Sequence, residues 1–147
     1  RLLLAQDGAG LCQLTFEQHK HPRPVQADWQ RDDGAFAETD RQLGAYFAGT
    51  RRAFDLPLAL HGTDFQKRVW QALLHVPYGR TTTYAALAQV IGRAGAYHAV
   101  GAAVGMNPIS IIVPCHRVLG SNGSLTGYAG GIERKARLLA LEGLLLA

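Results

Sequence analysis

Tyr84-Ala85-Ala86-Leu87-Ala88-Gln89-Val90-Ile91-Gly92-Arg93-Ala94-Gly95-Ala96-Tyr97-His98-Ala99-Val100-Gly101-Ala102-Ala103-Val104-Gly105-Met106 is the stretch whose reading decides the fold. Tyr84, Leu87, Ala88 and Ile91 recur at i, i+3, i+4 and i+7, the spacing of one buried helical face. Gly92-Arg93-Ala94-Gly95 is a tight connection, and a further helix is expected over about Ala96 to Met106, ended by Asn107-Pro108. Two short helices joined by a glycine-containing turn make a helix-turn-helix candidate; an ordinary helical hairpin fits the same pattern. The second of these helices offers Ala99, Gly101, Ala102, Ala103 and Gly105 where a major-groove reader carries Arg, Asn or Gln. If it touches DNA, the expected contacts are sugars, phosphates and the minor groove.

Upstream, Thr63-Asp64-Phe65-Gln66 fits a capping box. It opens a helix whose stripe is Phe65, Val69 and Leu73, stopped by Pro77-Tyr78-Gly79. Further back the pattern is mixed α/β. Leu2 to Ala5 and Leu11 to Phe16 flank Asp7-Gly8-Ala9-Gly10, a hairpin signal. His19 to Pro24 reads as loop because of its two prolines, and Phe54 to Leu58 as another short strand. Phe36, Leu43, Tyr46 and Phe47 lie on a helical period, with Gly49 as the stop.

The charge divides along the same line. Residues 1–58 carry seven Lys/Arg against eight Asp/Glu, whereas 59–147 carry eight against three, so the basic part is the C-terminal one. Such a split suits a partner rich in phosphate. The 147 residues, 48% of them hydrophobic, suffice for a core and exclude a disordered or collagen-like polymer. We expect two domains, 1–58 and 59–147. The longest apolar runs, Ile109 to Val113 and Leu144 to Leu146, are far shorter than the roughly 20 residues of a membrane span, so no membrane partner is expected. No signal-peptide pattern is present; the start at Arg1 rather than Met leaves room for a lost N-terminal piece. Cys12 and Cys115 make no disulfide framework, which suits a reducing cytoplasm. Cys12, His19 and His21 are too loosely spaced to signal a metal, and none is expected.

The chemistry concentrates in Ile111-Ile112-Val113-Pro114-Cys115-His116-Arg117-Val118. An apolar run delivers a thiol into a shielded turn with an imidazole beside it. A buried thiol is inert unless a base or a positive charge favours its anion. His116 can be that base, and Glu142 can orient the imidazole. On residue types alone Cys115 can equally be core filler.

Pro114-Cys115-His116-Arg117-Val118, followed by a glycine-rich loop from Gly120 to Gly131 and a terminal helix, resembles the O6-alkylguanine-DNA alkyltransferases (methylated-DNA–protein-cysteine methyltransferases). Further matching segments are Gly62 to Gln66 with Val69-Trp70, Val76 to Gly79, Thr83-Tyr84 with Leu87-Ala88, Ala99 to Gly101, Asn107-Pro108 and Leu125 to Gly131. The resemblance implies an α+β protein: a small mixed α/β N-terminal domain of the ribonuclease H-like roll type, then a mainly helical, winged helix-turn-helix-like domain. It implies direct-reversal repair, in which O6-alkylguanine (and O4-alkylthymine) is flipped from duplex DNA. The alkyl group then passes irreversibly to the protein's own cysteine, with no cofactor and a single turnover.

By that resemblance Cys115 is the acceptor, His116 the base acting through a water, and Glu142 the acid holding His116. Tyr84 hydrogen-bonds guanine N3 and lets the base leave neutral, and Asn107 ties the recognition helix to the reactive turn. Cys115 and Val118 offer carbonyls to the exocyclic amine. Tyr128 and the Ala129 N–H close over the base, and Met106 helps shape the pocket. The expected DNA-contacting set is Thr83, Arg93, Tyr97, His98, Ala99 and Arg117, on the minor groove and without sequence readout. A monomer, cytoplasmic and nucleoid-associated in the bacterial manner, is expected.

Two features depart from the family pattern. His98 stands where relatives carry an arginine that fills the gap left by the flipped base; histidine is shorter and only partly charged near neutrality. Against the family pattern, a first strand that relatives carry ahead of the Asp7 hairpin is expected to be missing from these 147 residues. The rival of another class is a non-catalytic sensor of alkylation damage with the same fold, which the presence of Cys115 disfavours. A thiol hydrolase and a base-reading regulator fit less well.

Overall fold

A computed structural model describes residues 2–16 and 29–144 of the chain. The expected loop from His19 to Pro24, and with it His19 and His21, lies outside the described residues. Strands β1 (Leu2–Asp7) and β2 (Gly10–Phe16) form the antiparallel hairpin, with Leu2 opposite Phe16 and a register shift between Ala5 and Gln6. Its turn is held by the Asp7 carboxylate, whose Oδ1 accepts from the backbone N–H groups of Ala9 at 2.8 Å and Gly10 at 3.1 Å. Gly10 is required there: at φ 148 a Cβ would lie 2.4 Å from the Pro57 carbonyl oxygen.

The expected strand from Phe54 to Leu58 does not form as such. Only Leu58 bridges to Leu11, because Pro57 has no N–H to donate; its carbonyl instead accepts from Leu11 at 2.9 Å, and Ala59 donates back to Leu11 at 2.8 Å. Helix α1 (Ala37–Phe47) covers this part, burying Leu43 and Tyr46.

The remaining helices follow their capping and periodicity. α2 (Asp64–Leu73) opens with the complete capping box of Thr63 and Gln66. α3 (Tyr84–Val90) is capped by the Thr83 hydroxyl, which accepts from Ala86 N–H at 3.1 Å. α4 (Tyr97–Gly105) packs against both, with the Trp70 indole donating to the Ala103 carbonyl at 2.8 Å. α3 and α4 make the helix-turn-helix. β3 (Thr82–Thr83) pairs in parallel with β4 (Val118–Leu119), a two-residue sheet that pins the strand after Cys115 to the start of α3. α5 (Ile132–Leu141) closes the described fold. No helix among the described residues is long and apolar enough to cross a membrane.

One core runs through both parts. Leu11 and Leu14 of the hairpin join Val69, Trp70, Leu73, Leu87, Val100, Ile109 and Val118 in a single buried cluster. Leu14 is the key link: its N–H donates to the Pro108 carbonyl at 2.9 Å and its carbonyl accepts from Ser110 at 2.8 Å. β2 therefore grips the segment leading into the reactive turn.

Candidate active site

Residues 107–117 form a knot of short turns rather than a regular element. Asn107, only 2% exposed, uses both ends of its amide: Nδ2 donates to the Val113 carbonyl at 2.8 Å, and Oδ1 accepts from Ile109 N–H at 2.9 Å. Ile112 N–H bonds back to Ser110 O at 2.8 Å around Ile111, whose φ is 73°. That is the rare γ-turn of positive φ, strained for any β-branched residue by about 1–3 kcal/mol. A second γ-turn, of the ordinary inverse kind, is centred on Pro114 (φ −82, ψ 65) and closed by Cys115 N–H on Val113 O at 2.8 Å. These turns carry Cys115 into a short 3-10 turn, Cys115–Arg117, on the wall of the core.

The Cys115 thiol is buried. Burial pushes its pKa up, while Asn107, Lys135 and Tyr128 pull the other way, so at rest the sulfur keeps its proton. His116 is fully buried beside it, and its Nε2 lies 2.6 Å from Glu142 Oε2. A carboxylate only accepts, so Nε2 carries the proton and the lone pair falls on Nδ1. Nδ1 has no hydrogen-bond partner among the described residues. Burial lowers the His116 pKa and outweighs Glu142, so the imidazole is neutral and available as a base.

Glu142 is the hub. Its Oε2 accepts from the Tyr46 hydroxyl at 2.6 Å, from His116, and from Arg117 Nη2 at 3.0 Å. Its Oε1 accepts from Arg117 Nε at 2.8 Å and Gly79 N–H at 3.3 Å. Burial alone would raise its pKa; the bonds from His116, Arg117 and Tyr46 prevail and hold it down to about 2.

Opposite lies the glycine-rich loop. The Thr126 carbonyl accepts from the Tyr84 hydroxyl at 3.3 Å and from Lys135 Nζ at 2.7 Å. Lys135 is fully buried on α5, and burial lowers its pKa to about 8. The Tyr128 ring is buried as well; its oxygen is flanked by Ser110 and Cys115 without a well-formed hydrogen bond.

The structure thus brings Cys115, His116, Glu142, Asn107, Tyr84 and Tyr128 into one neighbourhood, with Tyr84 half-buried at its edge. Val118 is fully buried, and its N–H bonds to the Cys115 carbonyl. Ala129 is half-buried on the loop, and Met106 is 36% exposed at the end of α4. Arg93, Tyr97, His98 and Ala99 stand exposed on the turn and on α4, and the Tyr97 and His98 rings lie 4.5 Å apart. Thr83 is half-buried in its capping role. Arg117 corrects the expectation of a DNA contact. It is 6% exposed, and besides Glu142 it donates through Nη1 to the Val76 carbonyl at 2.7 Å. A guanidinium turned inward to neutralise a buried carboxylate cannot reach a phosphate.

Sequence reading missed Tyr46 and Lys135. Tyr46 was legible only as a helix-face aromatic, and Lys135 only as one basic residue among several on a terminal helix. A lysine on the buried face of α5, in line with Leu138 and Leu139, was the available signal.

With this geometry in place, the comparisons with known proteins are informative. The family described as "6-O-methylguanine DNA methyltransferase, DNA binding domain" matches residues 64–144, and "6-O-methylguanine DNA methyltransferase, ribonuclease-like domain" matches residues 1–60. A methylated-DNA–protein-cysteine methyltransferase of Methanosarcina barkeri is 52% identical over 96% of this chain and 89% of its own length. Its namesake in Mycobacterium bovis is 53% identical over 96% and 85%. A crystal structure of Mycobacterium tuberculosis OGT in complex with DNA superposes with a TM-score of 0.90, at 52% identity, covering 96% of this chain and 85% of that one. The chain belongs to the 6-O-methylguanine DNA methyltransferase family.

Proposed function

We infer that this chain is a methylated-DNA–protein-cysteine methyltransferase, which binds DNA and repairs O6-alkylguanine by taking the alkyl group onto Cys115. The observation that carries the reading is the buried thiol next to a neutral imidazole clamped at 2.6 Å by a buried carboxylate, in a chain of this family. At rest the thiol is protonated and inert. Transfer requires its proton to pass to His116 Nδ1, through one water. The sulfur then attacks the alkyl carbon, and the sulfur–carbon bond forms as the carbon–oxygen bond to guanine breaks. Negative charge develops on the departing base, where the Tyr84 phenol and the Ala129 N–H are the donors at hand.

Asn107 positions the reactive turn. Carbonyls of Cys115 and Val118 read the exocyclic amine, and Met106 and Tyr128 border the base. α4 presents small side chains to the minor groove, with Arg93, Tyr97, His98, Ala99 and Thr83 along the contact. Cys115 is 6% exposed, so the alkylated base must be brought to it out of the duplex stack. Residues 1–58 and 59–147 act as two domains of a monomer. Two free cysteines and a DNA substrate suit a cytoplasmic, nucleoid-associated protein.

The test is an intact-mass measurement after incubation with an oligonucleotide containing O6-methylguanine. One added methylene on the tryptic peptide that holds Cys115, absent in Cys115→Ser, is the expected result. DNA binding without any mass gain would make the protein a damage sensor instead, and repeated product release per chain would make it a turnover enzyme.

A further inference from the structure

Helix α1 sends one side chain into the acid–base cluster. The Tyr46 hydroxyl donates at 2.6 Å to Glu142 Oε2, the oxygen that also faces His116 Nε2 at 2.6 Å. Tyr46 lies in the segment matched by the ribonuclease-like domain, whereas His116 and Glu142 lie in the segment matched by the DNA binding domain. The Tyr46 ring is fully buried and packs on Phe47, Phe54 and Tyr78, with centroids 5.4, 5.4 and 6.1 Å away. Phenylalanine would fill that space without a polar atom to satisfy, so packing does not explain the hydroxyl.

We propose that Tyr46 is a positioning residue for alkyl transfer, setting through Glu142 how readily His116 takes a proton. The inference rests on the function proposed above. Oε2 shares its charge among its donors, and every donor weakens what it offers the others. With the phenol in place, Glu142 orients the imidazole yet holds the imidazolium less tightly, so His116 stays neutral and Nδ1 stays free to accept. Without the phenol, more of that charge falls on His116 and its proton affinity rises. The other ionisable groups around this pair among the described residues are Arg117 on the same carboxylate, Cys115 on the adjoining turn, Lys135 from α5, Tyr78 beside Tyr46, and Tyr128 of the glycine-rich loop, which feels both Tyr46 and Cys115. None of them changes in a Tyr46→Phe chain.

The experiment uses the full chain, with 15N-labelled histidine. Nuclear magnetic resonance follows the titration of His116 in the wild type and in Tyr46→Phe. In parallel, the single-turnover rate on the O6-methylguanine oligonucleotide is recorded across the same pH range. The expected result is a His116 midpoint moved up by about half a pH unit or more, with the acid limb of the rate moved equally. Phe54→Leu, which loosens the same aromatic cluster, should lower the melting temperature and leave both pH readings in place. Replacement of Tyr46 by 3-fluorotyrosine, a stronger donor of nearly the same shape, should move the midpoint down and keeps the test available if Tyr46→Phe does not fold. An unmoved midpoint, or a moved midpoint with an unmoved acid limb, overturns the proposal. Absence of transfer in the wild type overturns the repair function instead, and the resonance titration still reads the effect of Tyr46 on His116.

Discussion

Arg117 grips Glu142 with two parallel hydrogen bonds, Nε to Oε1 at 2.8 Å and Nη2 to Oε2 at 3.0 Å, with their side chains 8% and 0% exposed. Such a fork is worth little against a hydrophobic replacement of both partners, but removal of one partner strands a buried charge. Arg117→Met should therefore lower the unfolding free energy by about 3–5 kcal/mol in urea titrations. The salt dependence of DNA binding should not change. A phosphate contact would instead flatten its slope by about one.

Lys135 is a buried ammonium whose Nζ donates at 2.7 Å to a neutral carbonyl, that of Thr126. Its pKa is about 8 in the fold against an ordinary 10.5, so between those values the unfolded chain binds more protons than the folded one. Stability should rise with pH across that window, and at pH 7 the full penalty applies. Lys135→Met should stabilise the protein at pH 7 by on the order of 1–3 kcal/mol after the lost Thr126 bond is deducted. The same change should slow alkyl transfer by about tenfold, because the forming thiolate loses a cation that favours it. Urea unfolding and single-turnover kinetics on one sample check both signs. A destabilised variant with a normal rate would make Lys135 structural only.

Acid should unfold the protein in two stages. Burial holds the His116 pKa below its ordinary 6.5, so stability begins to fall as pH drops through that value and the unfolded chain takes a proton the fold refuses. Glu142 titrates near 2 in the fold against an ordinary 4.5, and its contribution is present above 4.5 and lost between there and 2. That gap is worth about 3 kcal/mol. Urea midpoints from pH 8 to pH 2 should show both declines, and Glu142→Gln should flatten the lower one.

His98 is exposed at the start of α4, its ring against that of Tyr97. An imidazole there has less reach than an arginine and lacks its fork of five donors. His98→Arg should tighten DNA binding and raise the transfer rate on duplex substrate by about three- to tenfold, with little effect on a free alkylated base. An equal gain on the free base would place the effect in the pocket rather than in base extrusion.

Much of the helical part was legible because its signals are local. The Thr63–Gln66 box, the threonine cap of α3 and the stop at Asn107-Pro108 each lie within a few residues of what they control. Cys115 and His116 were legible because they are adjacent and set in an unusual apolar frame. The strand expected at Phe54 to Leu58 failed since Pro57 breaks the ladder, a local cue outweighed by β-forming neighbours. Arg117 was misplaced because its type suggests phosphate, while its inward turn depends on a carboxylate far along the chain. Tyr46 was missed for the same reason: its partner is 96 residues away. Positive φ at Ile111 had no signal at all, because isoleucine is among the last residues expected there.

The backbone clasp between Leu14 and residues 108 and 110 has a consequence for how the protein is made. The ribosome releases the hairpin long before the reactive turn, so the template is already waiting when the strained peptide it must shape emerges. A chain diluted from denaturant has no such head start and must close that long loop by diffusion, the slow kind of encounter. Freshly synthesised molecules should reach competence sooner than refolded ones, which matters for a protein that each cell must replace after a single use.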